Sequence, residues 1–288
     1  MAFQLSPGVN VSEIDLTTVV PAVATSTGAF AGSFAWGPVN QIVSIANESR
    51  LVDTFGKPNA NNYVGWFSAA NFLAYSNNLK IVRAANTSVN GTTTAISNST
   101  VSVSSTPLIQ NDVDYDQNWS TIGANTYGSF AARYPGSLGN GLQVYICPNS
   151  NAFEANLGAV LSSTVTSSQT SITLSGAAAA ANIGVGDTVA LTANGVTSSY
   201  VTVTSVNTAT FVVTTDTAFG NSYNSTASTY LNRRWKYYAQ FTSAPGTSDY
   251  GTRMGASKDE MHVVVVDSLS QFSSSANTVL EKFGFVSK

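Results

Sequence analysis

Between residues 157 and 228 the chain carries very few charges and breaks into short β-favouring runs separated by turn residues. The runs are 171–174, 188–191, 200–206 and 210–214, rich in Val and Thr. Asn194-Gly195 is the dipeptide favoured in two-residue hairpin loops, where both positions need a positive φ. Gly184-Val185-Gly186-Asp187 is a second tight turn that leads into the 188–191 run. Short strands at this spacing predict a small all-β barrel or sandwich. Longer elements lie on both sides, so 157–228 reads as an insert in a larger domain.

The chain before the insert has a different rhythm. Residues 27–36 form a small, apolar strand that ends at the turn Gly37-Pro38. Asn47 is placed to cap a short helix running through Phe55, where Gly56 stops it and Pro58 prevents continuation. Residues 63–75 make a stronger helix, with Trp66, Ala69, Ala70 and Leu73 at spacings of three and four. Asn77-Asn78 breaks that helix, and 79–84 is a strand centred on Ile81 and Val82. Strand, helix, helix, strand predicts one sheet layer with helices on it.

Residues 87–120 are rich in Ser, Thr and Asn and read as irregular structure or weak β. Order returns at 127–134, as helix or strand, followed by the dense turn Pro135–Gly141 and a strand over 142–147 that Pro148 stops. Beyond the insert, 235–241 and 261–266 are strong strand candidates, and 278–286 is suited to pair beside the latter. The expected fold class is therefore α+β. It comprises an N-terminal extended arm (1–22), a first α/β core part (23–86), a β-rich connection with a core strand (87–156), the inserted β domain (157–228) and a return to core strands (229–288). A strand running to the last residue suggests a core domain unfinished at its C-terminus.

Composition excludes several functions. Charged residues make up 9 %, against roughly 25 % in an average soluble domain, while hydrophobic residues at 43 % are ample for a folded core. Net charge is −3, and no basic stretch offers the row of cations that nucleic-acid binding requires, so nucleic acid is not an expected partner. Cys147 is the single cysteine, so neither an intrachain disulfide nor a cysteine-based metal site is available. The N-terminus lacks the basic start and apolar run of a secretory signal, and no stretch approaches a membrane span. Synthesis in a host cytoplasm without membrane insertion is the expectation.

No catalytic, cofactor or metal constellation emerges. His262 is the sole histidine, and no G-x-S-x-G elbow accompanies it; a structural, strand-edge histidine is expected. Asp112, Asp114 and Asp116 resemble the opening of a calcium loop, but Gln117 and Gly123 stand where that loop needs glycine and glutamate. A solvated acidic loop is the better reading. No glycine run continues as a phosphate-binding fingerprint. Arg233-Arg234-Trp235-Lys236-Tyr237-Tyr238 is the one basic and aromatic cluster, and it reads as a strand with a charged edge or as a subunit-contact patch. The chain is not expected to be an enzyme, and no cofactor is expected.

The arm needs a reason of its own. Pro7-Gly8 makes a turn, after which Val9, Val11 and Glu13 alternate with Asn10 and Ser12, and Ile14 follows. Such a segment is too short to hold a core and must find backbone partners elsewhere. Leu5-Ser6-Pro7-Gly8-Val9-Asn10-Val11-Ser12-Glu13-Ile14-Asp15 resembles the N-terminal signature of contractile phage tail sheath proteins. The likeness continues through Gly28-Ala29-Phe30-Ala31-Gly32, Trp36-Gly37-Pro38 and Leu51-Val52-Asp53-Thr54-Phe55-Gly56-Lys57-Pro58. It then takes in Phe72-Leu73-Ala74-Tyr75, Val82-Arg83-Ala84 and Tyr134-Pro135-Gly136-Ser137-Leu138-Gly139-Asn140. These motifs follow family order across most of 1–150, with a flavour closest to cyanophage-like myophages.

The resemblance implies a virion protein of the phage tail sheath, assembling as hexameric rings stacked helically around a tail tube between baseplate and neck. Contraction of that sheath drives the tube through the host envelope. The implied partners are further copies of the chain, the tail tube protein, and baseplate and neck or terminator proteins. Arms of family members add strands to neighbouring subunits, which makes Pro7, Gly8, Val9, Val11, Glu13 and Ile14 the expected intersubunit arm residues. Family members run longer, so this chain corresponds to an N-terminal half to two-thirds, without the tube-gripping surface. The alternative is a host-surface-binding fibre or decoration protein, suggested by the β-rich insert.

Overall fold

In the computed structural model, residues 27–87, 96–100, 107–120, 129–226 and 228–288 are described. The fold is mixed α+β, dominated by sheets with a few short helices. Two compact units, Met1–Asn140 and Gly141–Lys288, divide the chain.

In the first unit the order is β1 (Gly28–Gly32), β2 (Ile42–Ile45), α1 (Glu48–Phe55), α2 (Tyr63–Leu73) and β3 (Leu79–Arg83). β3 lies between the other two strands, parallel to β1 and antiparallel to β2. Its side chains alternate strictly, with Leu79, Ile81 and Arg83 buried and Lys80 and Val82 half-buried. The α1 cap follows from its sequence. Asn47 is extended and its side-chain oxygen accepts the Arg50 amide at 2.8 Å, while Gly56 leaves the helix with φ 78°. Leu51 and Phe55, one turn apart, bury against Phe34, Ile45, Trp66, Ala69, Leu79 and Ile81 to form the core of this unit. The Trp66 indole N–H donates to the Gly56 carbonyl at 2.9 Å, fixing α2 to the end of α1.

Four features of this unit differ from expectation. The 27–36 strand stops at Gly32, because the chain beyond it turns its carbonyls towards Arg83 instead of a neighbouring strand. β2 was not anticipated; four residues give too little alternation to read, and pairing with β3 makes the strand. In the 87–120 stretch, Asp112–Asp114 and Tyr115–Trp119 form a helical turn capped by Asn111, whose side chain accepts the Asp114 amide at 3.0 Å. Of 127–134, residues 129–134 are neither helix nor strand apart from a single bridge between Thr100 and Ala131.

In the second unit β4 (Leu142–Cys147) is followed by β5 (Glu154–Asn156), β6 (Ser171–Thr173), β7 (Thr188–Ala193), β8 (Val196–Thr197), β9 (Val201–Asn207), β10 (Val212–Thr215), β11 (Thr229–Arg234), β12 (Glu260–Asp267) and β13 (Thr278–Ser287). The larger sheet has the order β5-β11-β7-β9-β10-β6, with β8 paired to β7. Asn194 (φ 50°) and Gly195 (φ 77°) make the predicted hairpin loop between β7 and β8. β9 pairs with β7 over Val201 and Thr202 and with β10 from Val203 onward. Val165, Ile172, Val189, Leu191, Val213 and Leu231 are among the residues of the core on this sheet. Because β5 and β11 belong to it, the sheet extends past both ends of 157–228.

The smaller sheet, β13-β12-β4, is antiparallel throughout. β13 pairs beside β12 as its sequence suggests. Residues 235–241 do not form the expected strand; the strand is β11 just before them, and Tyr238–Gln240 is a turn of 3₁₀ helix. A side chain far away in sequence explains the break. The Asp187 carboxylate accepts the Lys236 amide at 3.0 Å, and Trp235, Tyr237, Tyr238 and Phe241 fold over a core with Cys147, Phe153, Val264 and Val266.

Candidate functional site

Arg83 is the most unusual side chain of the first unit. It takes an inward position of β3 and is 2 % exposed, yet its partners among the described residues are main-chain carbonyls. Nε donates to Phe34 at 3.0 Å, and Nη1 donates to Gly37 at 2.7 Å and to Pro135 at 2.8 Å. Nη2 donates to Ala35 at 3.4 Å. A planar fork with five N–H groups serves converging carbonyls in a way that an ammonium does not. Burial brings its pKa down to about 10, which leaves it charged at neutral pH. The guanidinium thus ties the 34–37 turn and the Pro135 turn to the end of β3. Trp36 and Tyr134 close the same junction edge to face, with ring centroids 5.7 Å apart. Gly136 has φ 139°, which strains any side chain, and a Cβ there would lie 3.1 Å from the Ala35 oxygen and 3.2 Å from Arg83 Nη2, so those neighbours would have to give by a few tenths of an ångström.

The other candidates are absorbed into structure. His262 lies on the central strand β12 and is fully buried, which corrects the strand-edge expectation. Its Nδ1 accepts the Phe285 amide at 3.1 Å, so Nε2 carries the hydrogen and donates to the Ser243 carbonyl at 2.9 Å. The ring stacks on Phe241 with centroids 4.1 Å apart. Phe285 has φ 58° and sits at a register shift between β12 and β13, so the imidazole supplies the acceptor that the ladder lacks there.

The 233–238 cluster is likewise internal. Arg233 is buried against Asp187 at 3.2 Å and donates to the Asn151 and Ala152 carbonyls. Arg234 pairs with Glu154 at 2.7 Å and lies over the rings of Tyr200 and Tyr238. Lys236 lies over Tyr145. β11 is flanked by β5 and β7, so it is not a charged edge strand. Asp112, Asp114 and Asp116 sit on the helical turn and not in a loop. Asp112 pairs with Arg133 at 2.6 Å, and Asp114 accepts the Gln110 amide and the Asn118 side chain. Among the described residues no group of three or more His, Cys, Asp or Glu is arranged to hold a metal ion. No described helix is long and apolar enough to cross a membrane.

Residues 25–84, which contain β1–β3, both helices and Arg83, match the family described as tail sheath protein Gp18 domain III N-terminal region. Part of the chain is similar to phage tail sheath proteins. The tail sheath protein of Enterobacteria phage T4 is 46 % identical over 80 residues, which is 28 % of this chain and 12 % of that protein. That of Vibrio phage KVP40 is 37 % identical over 121 residues, 42 % of this chain and 15 % of the relative. That of Salmonella phage ViI is 31 % identical over 151 residues, 51 % of this chain and 22 % of the relative. In each case the matched stretch takes in less than a quarter of the relative's length.

Within the tail sheath match, motifs far apart in sequence meet. Trp36-Gly37-Pro38 and Val82-Arg83-Ala84 meet at the guanidinium together with Tyr134-Pro135-Gly136, which lies beyond residue 84. Gly56, in the Leu51–Pro58 motif, accepts from Trp66, and a Cβ on it would lie 3.7 Å from Leu138. In the sequence Arg83 stands within the Val82-Arg83-Ala84 motif with no role of its own. The available signal was its place in the buried phase of the Leu79, Ile81, Arg83 alternation. The expected arm residues Pro7, Gly8, Val9, Val11, Glu13 and Ile14 lie outside the described residues.

Proposed function

We propose that this chain is part of the structural, non-enzymatic subunit of a contractile phage tail sheath. Copies stack as hexameric rings around a tail tube and contract to drive it through the host envelope, with baseplate and neck proteins as the end partners. The observation that carries this reading is the tail sheath match over 25–84 together with the meeting of separate sheath-like motifs at Arg83. A body locked in this way can move as a unit, and sheath contraction asks bodies to change neighbours without changing fold. The low charge fits the same reading, since weakly charged polar surfaces exchange one packing for another at little cost.

Residues Pro7, Gly8, Val9, Val11, Glu13 and Ile14 are the arm that adds a strand to a neighbouring copy. Heterologous contacts of this kind do not close on themselves and generate helical arrays. Residues 157–228 are the family's variable insert. Electron microscopy of the full-length protein tests the proposal: sheath-like tubes or rings are expected, and removal of residues 1–20 abolishes them. Persistent monomers at high concentration with the arm intact would overturn it.

A further inference from the structure

A strained stretch of β13 is held on β12 by a group that can take up a proton. Phe285 has φ 58° inside a strand, a conformation that bulky side chains avoid. Met261 pairs with Val286 and Val263 with Phe283, so Gly284 and Phe285 stand opposite His262 alone. Strain of this kind persists only where neighbours enforce it. The neighbour here is the His262 ring. Its Nδ1 accepts the Phe285 amide at 3.1 Å, and it meets the Phe285 ring edge to face with centroids 4.8 Å apart.

This contact works in one protonation state only. Nε2 is committed to the Ser243 carbonyl at 2.9 Å. A proton added at Nδ1 points at the Phe285 N–H, and two donors then face each other. The ring is fully buried, so the new charge finds no water while β13 stays in place.

The groups packed round the ring leave the proton no better partner. Cys147 stands opposite on β4, neutral because burial pushes its thiol up to about 11. The short helix Ser150–Phe153 contributes the Phe153 ring, and the 238–243 segment contributes Phe241 and a Tyr238 hydroxyl directed at Glu154. On β12 itself, Glu260 is bonded to the Gly246 amide and Asp267 to the amides of 271–273. On β13, Lys282 reaches the Gln240 carbonyl at 3.2 Å. Asp259, which accepts from Ser287, is held below the usual carboxylate range by the Ser248 hydroxyl and amide. Among the described residues no carboxylate is hydrogen-bonded to the imidazole.

We propose that His262 is a proton-operated catch for the end of β13: the neutral ring holds residues 284–287 on β12, and uptake of one proton releases them. The released form binds the proton and the held form does not. The hold is therefore complete above about pH 6.5, where a free imidazole is neutral, and weakens below it. Release uncovers the β12 edge at Met261 and His262 for another strand. The catch lies within the second unit and does not depend on the sheath reading.

Nuclear magnetic resonance of the ¹⁵N-labelled chain tests this directly, because His262 is the sole histidine and its ring signals need no assignment. The hydrogen is expected on Nε2 at about pH 8, where the ring is neutral. Below about pH 6.5, protection of the 284–287 amides, corrected for intrinsic exchange, falls about tenfold per pH unit, the slope of one proton per opening. The amides of β4 and β7 keep their protection over the same range. His262→Gln can still accept and donate but cannot take up a proton, so the pH step disappears. Glu260→Gln retains the step. A hydrogen on Nδ1 in the neutral ring, protection at 284–287 that does not change with pH, a step that survives in His262→Gln, or one that is lost in Glu260→Gln overturns the proposal.

Discussion

Replacing Arg83 by methionine keeps most of the side-chain volume and removes every donor from the junction it fills. Three carbonyls within 3.0 Å, those of Phe34, Gly37 and Pro135, lose a charged partner, and hydrogen bonds to charged groups contribute about 1.5–3 kcal/mol each. Against this, the cation is no longer buried. Its pKa, lowered by burial from 12.5 to about 10, corresponds to about 3 kcal/mol recovered. The balance is a destabilisation of about 4 kcal/mol, within the range for breaking a buried charged network. A chain of two compact units does not unfold as one transition. The assay is therefore hydrogen exchange read on peptides covering 28–37 and 79–84, with urea unfolding followed by tryptophan fluorescence. Protection in both peptides falls, while β7 and β12 exchange as before. Arg83→Lys recovers only part of the loss, because one ammonium does not span carbonyls on two separate turns. Wild-type protection in Arg83→Met, or full rescue by lysine, would refute the reasoning.

Three further outcomes are expected. Asn47→Ala removes the α1 cap and costs about 1 kcal/mol, read as faster exchange confined to 48–52. His262→Ala leaves a cavity beside Phe241 and an unpaired Phe285 amide, destabilising the second unit by about 3–4 kcal/mol in urea unfolding. Burial opposes the charge of Asp267, but the Gln271, Ser273 and Phe272 amides and the Ser273 hydroxyl outweigh it and bring its pKa to about 2. A carboxyl with a folded pKa below its unfolded value of about 3.9 stabilises above the latter and loses that stabilisation as pH falls to the former. The gap in thermal midpoint between wild type and Asp267→Asn should be full at pH 6 and shrink between about pH 4 and pH 2.

The features legible in the sequence were those set by neighbours along the chain. Asn47, Gly56 and Pro58 delimit α1 through backbone geometry alone, and Asn194-Gly195 dictates its hairpin loop. Those that escaped depend on distant partners. Aromatic β propensity made 235–241 look like a strand, and only the Asp187 carboxylate, 49 residues from Lys236, shows why it turns. Ile42–Ile45 is a strand because β3 pairs with it, not because of its own pattern. Arg83 was visible as part of a motif, but a cation at a strand end is normally taken to face water. Its role needed the turns at 34–37 and 135 to be placed beside it. His262 likewise became intelligible only with the Phe285 amide opposite it.

Locating residues 7–14 in an assembled sheath-like tube, by cryo-electron microscopy of the full-length protein, is the most direct measurement. The expected density runs from one copy into the sheet of the next, with Val9 and Val11 on a strand ladder that two chains share. Density for the same residues lying wholly on their own body, touched by no other copy, would contradict the mechanical account.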